Sequence, residues 1–276
     1  MSQLKIAVLD MNNNQPNQGM RCILQIIRTM QSRENVDLVY DVFNVRGNDE
    51  LPGLDYDVYI SSGGPGSPLQ SDDAWEPRFF QLIDDLFDWN DRNKQKKFVF
   101  LICHSFQLVV RHLELGLLSK RRSTSFGIFP MHKETDGLTD PLLRGLPDPF
   151  YAVDSRDYQI TKPNKARFRT FGASILCREK IRSHVPLDRA IMAIRFSDEI
   201  VGTQFHPEAD TEGMLMHLQT DDRRKQVVKL FGQRKYDEMV AYLQDPDKIA
   251  LTESVMLPGF LRRAVRAVKA TRPQLV

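Results

Sequence analysis

Apolar positions along the chain repeat with two different periods. Residues 4–10 form a compact apolar segment closed by the polar run 12–19, the pattern of a strand entering a loop. Over 20–30 the residues Ile23, Leu24, Ile26, Ile27 and Met30 recur at helical spacing. Segments 36–45 and 57–61 are β-rich again. Over 79–89, Phe79, Phe80, Leu82, Ile83, Leu86 and Phe87 mark a second amphipathic helix. Residues 98–103 read as a buried strand, and 106–118 continue as a helix. This alternation predicts an open α/β sheet, mostly parallel, with the apolar segments 6–9 and 98–103 at its centre. Shorter β-like pieces at 124–129, 150–153, 172–177, 189–195 and 200–205 are expected as antiparallel additions at the edge.

From about residue 211 the character changes. Segment 211–244 is charged and helix-rich, with Pro246 and Pro258 expected as breakers. The last twenty residues carry Arg262, Arg263, Arg266, Lys269 and Arg272 and no acid. Leu257, Leu261, Ala264, Val265 and Val268 fall on the opposite face, so a terminal helix docked on its own domain with a solvated basic face is expected. The division is therefore 1–210 for the α/β domain and 211–276 for a helical extension.

With 276 residues, 41% apolar and 27% charged, the chain is long enough for a sizeable core. The longest apolar run, 98–103, falls far short of the ~20 residues needed to cross a bilayer. Lys5 and Asp10 interrupt what would be the apolar stretch of a signal peptide, so no secretion and no membrane partner are expected. A net charge of +2 supplies no field that points to nucleic acid. Three scattered cysteines, Cys22, Cys103 and Cys177, fit a reducing cytoplasm and no disulfide framework. No spacing suggests a metal or a cofactor, and no GxxxxGK[ST] loop for phosphate is present.

Three segments carry chemistry. The first, Ser61-Ser62-Gly63-Gly64-Pro65-Gly66-Ser67-Pro68, follows a strand. Glycines and prolines there make a rigid loop whose bare N–H groups can approach a ligand. The second, Cys103-His104-Ser105-Phe106-Gln107, sets a thiol where an apolar strand hands over to a helix. The helix N-terminus favours the thiolate there, and the turn lifts the sulfur out of the sheet. The third, Gly202-Thr203-Gln204-Phe205-His206-Pro207-Glu208, offers an imidazole base with a carboxylate two residues on, projecting to the same side. Taken singly, each has a plain structural explanation. Their order and positions at strand ends make the set specific.

In these elements the sequence resembles the class I (triad) glutamine amidotransferases. Residues 62–68, 103–107 and 202–208 match that family's glycine-proline loop, its cysteine followed four residues later by glutamine, and its Gln-Phe-His-Pro-Glu segment. The likeness extends over residues 1 to about 210. It implies a flavodoxin-like sheet and a glutaminase mechanism without cofactor or metal. In that mechanism Cys103 is the nucleophile, His206 the base and acid, and Glu208 its orienting carboxylate. Backbone N–H groups of Gly64 and His104 hold the oxyanion, Gln107 helps hold substrate, and Asp157 and Tyr158 are further substrate contacts. Arg156 stands where the family has the histidine of a Ser-His pair. The family's glycines two before and two after the nucleophile are replaced by Leu101 and Ser105, and the bulk of Leu101 is expected to crowd the elbow.

The leading expectation is a glutamine amidohydrolase that passes ammonia to a synthetase or acceptor protein. A stand-alone hydrolase of γ-glutamyl amides or peptides, and a catalytically silent scaffold of the same fold, are the alternatives. His112, His132, His184 and His217 are expected as ordinary surface or helix residues, and Cys22 and Cys177 as core thiols. The pairs Asp72-Asp73, Asp84-Asp85 and Asp221-Asp222 point away from one another on helices and suit solvated surfaces.

Overall fold

A computed structural model describes residues 3–33, 36–182 and 186–271. The first half alternates strand and helix: β1 (Leu4–Asp10), α1 (Gln18–Arg33), β2 (Leu38–Asn44), α2 (Val45–Asn48), β3 (Val58–Ser61), α3 (Trp75–Arg92), β4 (Phe98–Ile102) and α4 (His104–His112). A β-rich stretch follows, with β5 (Leu117–Lys133), α5 (Thr135–Thr139), β6 (Phe150–Thr161), α6 (Lys165–Phe171), β7 (Ser174–Glu179), β8 (Ile191–Arg195) and β9 (Ile200–Thr203). The chain ends in α7 (Thr211–Gln219), α8 (Asp221–Phe231), α9 (Gln233–Gln244) and α10 (Ile249–Thr271).

Among the described residues nine strands form one sheet in the order β2-β1-β3-β4-β9-β8-β7-β5-β6. The first five in that order run parallel, and the rest pair antiparallel. Helices cover both faces, the flavodoxin-like arrangement. Successive residues of a strand point to opposite faces, and the sheet divides accordingly. Ile6, Val8, Phe98, Phe100 and Ile102 pack with α1 and α10 on one side. Ala7, Leu9, Val99 and Leu101 pack with α3 and α4 on the other.

Three sequence expectations are corrected. The segment at 200–205 is not an antiparallel edge piece: β9 pairs parallel with β4, Leu101 opposite Gly202, in the middle of the sheet. The helix expected over 106–118 stops at His112, because Glu114 takes a positive φ of 55° and Gly116 packs where a Cβ would meet Ile160 and the Thr161 carbonyl at 2.9 and 3.0 Å. The leucines 113, 115, 117 and 118 fit either period, which is why pattern alone misread them. Pro258, expected as a breaker, lies inside α10. The helix continues through it because Met256, Leu257, Phe260 and Leu261 on either side are buried in the sheet's core. Phe260 meets Phe98 and Phe100 edge-on, with ring centroids 6.2 and 5.1 Å away.

The helices α7 and α9 pack against the β5–β6 hairpin through Leu218, Tyr236, Met239 and Leu243, which meet Phe126, Ile128 and Val153. No described helix is long and apolar enough to cross a membrane. Arg272 and His184 lie outside the described residues, as does the side chain of His217.

Candidate active site

The parallel strands deliver their carboxyl ends to one edge of the sheet, where ligands of open α/β sheets bind. Cys103 stands between β4 and α4 with φ 50° and ψ −98°, a conformation non-glycine residues rarely adopt. The turn is pinned on both sides. The Cys103 N–H donates to the Thr203 carbonyl at 2.7 Å, and the Cys103 carbonyl accepts from the Gln107 N–H at 3.0 Å. The sulfur therefore sits at the N-terminus of α4, where unpaired N–H groups and the helix dipole favour negative charge. The first of those N–H groups belongs to His104.

His206 comes to the sulfur from the end of β9. Its N–H donates to the Val153 carbonyl at 2.8 Å, tying the segment to β6. Its Nδ1 lies 2.8 Å from Glu208 Oε1, and the ring stands beside Cys103 under the Gly63 backbone. Burial pushes the imidazole toward its neutral form, but the nearby Glu208 carboxylate and Cys103 sulfur outweigh it, so its pKa stands well above the usual value. Glu208 is 1% exposed and meets the first turn of α1. A Cβ on Gly19 there would stand 3.0 Å from its Oε1. Glycine there leaves the carboxylate room against the helix end.

The glycine loop approaches from β3. A Cβ on Gly64 would lie 2.2 Å from the Met11 carbonyl, so no other residue fits that backbone. Arg46 clamps the loop from α2, donating through Nη1 to the carbonyls of Met11 at 3.1 Å and Pro65 at 2.6 Å. Ser62 accepts from the Met11 N–H at 3.0 Å and donates to the Gly63 carbonyl at 2.8 Å. A Cβ on Gly63 would lie 2.9 Å from His206 and 3.5 Å from Cys103 Cβ, so the loop passes directly over the cysteine-histidine pair.

Cys103, His206, Glu208, Gly64, His104, Gln107, Asp157 and Tyr158 all border one cleft of about 1090 Å³. The buried His104 side chain is pushed down to about 3, first by burial and then by the positive charges of Arg46 and Arg111, so it stays neutral. Asp157 is exposed and accepts from Thr124 Oγ1 at 2.5 Å. Tyr158 accepts from Gln107 Nε2 through its backbone carbonyl, at 3.3 Å. Arg156 is buried and bound to Asp154 at 2.9 Å and Glu179 at 3.0 Å. Cys22 also borders the cleft, its thiol pushed up to about 12 mainly by burial, whereas Cys177 is wholly inside the core. His112 stacks on Phe80 and meets Asp84, outside the cleft lining, and His132 sits in β5. Among the described residues no group of three or more His, Cys, Asp or Glu is placed to hold a metal ion.

Comparison with known proteins decides the family. The family model described as glutamine amidotransferase class-I matches residues 21–221. The chain belongs to the class I glutamine amidotransferases. Among solved structures, a glutamine amidotransferase from Thermotoga maritima is 14% identical with a TM-score of 0.68, covering 96% of this chain and 99% of that one. A glutamine amidotransferase from Methylobacillus flagellatus is 15% identical with a TM-score of 0.58, covering 94% and 95%. The glutaminase domain of CTPS from Trypanosoma brucei, solved with bound acivicin, is 12% identical with a TM-score of 0.56, covering 98% and 96%. At such identities these likenesses speak for the fold alone. No curated protein matches the sequence.

In this member of the family Leu101 does not crowd the elbow. Strand alternation would put Leu101 and Cys103 on one face, but the positive φ at Cys103 swings its side chain across to join Phe100 and Ile102. Leu101 stays on the far face, fully buried, beside Gly202, where a Cβ would lie 3.1 Å from its own Cβ and 2.7 Å from Phe106. Leucine on β4 is matched by glycine on β9. Ser105 is also more than tolerated. Its hydroxyl accepts from the Ile102 N–H and reaches the Ser61 and Ile102 carbonyls, each at 3.0 Å, stapling the ends of β3 and β4 together.

Sequence reasoning missed Arg46 and the contribution of α7, whose Gly213 and Met214 border the cleft, and gave Ser62 and Gln204 no role of their own within the segments it singled out. Only Gln204 had a readable signal: it precedes His206 by two positions on the same strand end, the spacing that puts side chains on one side.

Proposed function

We propose that the chain hydrolyses the side-chain amide of glutamine. Cys103, ionised by His206, attacks the amide carbon, and the tetrahedral oxyanion is held by the N–H groups of Gly64 and His104. His206, its positive charge balanced by Glu208, returns the proton to the departing nitrogen, and ammonia leaves with a thioester on Cys103. His206 then takes a proton from water as it attacks the thioester, and glutamate is released. Gln107 and Asp157, with Tyr158 beside them, receive the amino-acid end of the substrate. Residues 1–210 are read as the glutaminase domain and 211–276 as a helical extension whose α7 borders the cleft. Class I amidotransferase domains commonly work with synthetase subunits, and ammonia from this site is read as passing to such a partner or to an acceptor protein.

The observation that carries this mechanism is the placement of His206 beside Cys103 under Gly63, with Glu208 2.8 Å behind its ring, at a strained strand-to-helix turn. A second reading, hydrolysis of γ-glutamyl amides, is favoured by a cleft larger than free glutamine fills. The test is ammonia release from glutamine and from γ-glutamyl amides, together with labelling of Cys103 by a glutamine-like electrophile such as acivicin. Turnover of glutamine that disappears in Cys103→Ala supports the first reading. Turnover of γ-glutamyl amides alone supports the second. No turnover and no labelling refutes both and leaves a silent scaffold.

A further inference from the structure

Gln204 carries a fully buried carboxamide directly beneath the cysteine-histidine pair. Its orientation follows from its neighbours. The Tyr158 carbonyl can only accept, so the Gln107 atom 3.3 Å from it is the amide nitrogen, Nε2. That same nitrogen lies 2.8 Å from Gln204, so the Gln204 atom facing it is the oxygen. The Gln204 nitrogen is then the atom 3.6 Å from Cys103 Sγ. One backbone carbonyl thus sets the direction of two side-chain amides and aims an N–H at the sulfur.

A second contact shows which form of the sulfur that N–H serves. The Ser155 carbonyl stands 3.8 Å from Sγ, an acceptor for the neutral thiol's hydrogen. A neutral thiol is a weak acceptor and gains little from Gln204, whereas a thiolate is a strong one. Once the proton has passed to His206, Gln204 and the imidazolium are both donors around the sulfur. Charged and titratable groups around the sulfur's cleft include His206, Glu208 behind that ring, the neutral His104, Arg46 against the glycine loop, Arg156, Asp157 and Tyr158 following Ser155 on β6, and Cys22 and Asp210.

We infer that Gln204 is a further catalytic residue: its N–H holds the ionised Cys103 sulfur, and its carbonyl fixes Gln107 so that Gln107 Oε1 is left for the substrate's α-ammonium group. The inference rests on the proposed role of Cys103 as nucleophile.

The experiment measures alkylation of Cys103 by iodoacetamide across pH, located by mass spectrometry, in the wild type, Gln204→Met and Gln204→Glu. Methionine fills a similar volume without a donor. Glutamate keeps the shape and the acceptor for Gln107 but turns a carboxylate toward the sulfur. Circular dichroism and melting curves establish that each variant is folded. Near pH 6 the methionine variant is expected to react roughly tenfold more slowly than wild type and to converge with it near pH 9, the size of effect a hydrogen bond to a charged group produces. The glutamate variant is expected to be slower still at low pH, with kcat for glutamine falling more than KM rises. Folded variants whose alkylation profiles superimpose on wild type overturn the inference. Wild-type Cys103 no more reactive than Cys22 overturns the nucleophile reading instead, so the two failures are distinguishable.

Discussion

Replacing Leu101 by glycine tests whether the leucine hinders the elbow or supports it. The side chain is fully buried against Val99 and Phe106, between Ser61 of β3 and Gly202 of β9 in the strand register. Deleting its four carbons forfeits about 3 kcal/mol at roughly 0.8 kcal/mol per buried methylene. The space cannot close, because the neighbouring residue is already a glycine, so the cost belongs toward the upper part of the roughly 2–5 kcal/mol span of buried leucine truncations. Glycine's backbone freedom in a strand adds about 0.5–1 kcal/mol. The expected total of about 4–6 kcal/mol is a large part of the ~5–15 kcal/mol that holds a typical domain folded. Urea denaturation should show a lower midpoint with little change in slope. Glutamine turnover, measured at low temperature where the variant is still folded, should not exceed wild type, because Leu101 and the Cys103 sulfur are on opposite faces. Higher turnover with stability within about 1 kcal/mol of wild type would refute this reasoning and restore the crowding idea.

Two further substitutions probe the site. Gly64→Ala drives a methyl against the Met11 carbonyl and must displace the loop; kcat is expected to fall roughly 10²–10³-fold with an unchanged circular dichroism spectrum, and a loss of less than about threefold would remove Gly64 from the oxyanion site. Glu208→Gln removes the carboxylate that raises the His206 pKa and orients its ring, so kcat/KM should fall at least about 10²-fold with an altered pH profile. The same variant tests linkage. A histidine whose folded pKa is raised adds stability that is fully present below its unfolded value near 6.5 and is lost as pH rises through the folded value. The stability deficit of Glu208→Gln relative to wild type should accordingly be largest below about pH 6.5 and shrink as pH rises through the raised folded value, and a deficit constant with pH would contradict the assignment.

Much of this architecture is written in local pattern. The apolar runs that became β1, β3 and β4, and the helical spacing of α1 and α3, follow from nearest-neighbour periodicity, which any short window of chain contains. The thiol at a strand-to-helix junction and the His206–Glu208 spacing are equally local. Where two periods fit the same residues, as at Leu113 to Leu118, pattern could not choose, and the close packing at Gly116 against β6 did. The place of β9 beside β4, the exchange of bulk between Leu101 and Gly202, and the passage of α10 through Pro258 depend on residues roughly a hundred to two hundred and fifty positions apart. Composition and spacing carry no record of such encounters. The direction of the Gln107 and Gln204 amides belongs to the same class. A carboxamide has two nearly identical ends, and which end faces the sulfur is settled by a Tyr158 carbonyl that the folded sheet alone brings alongside.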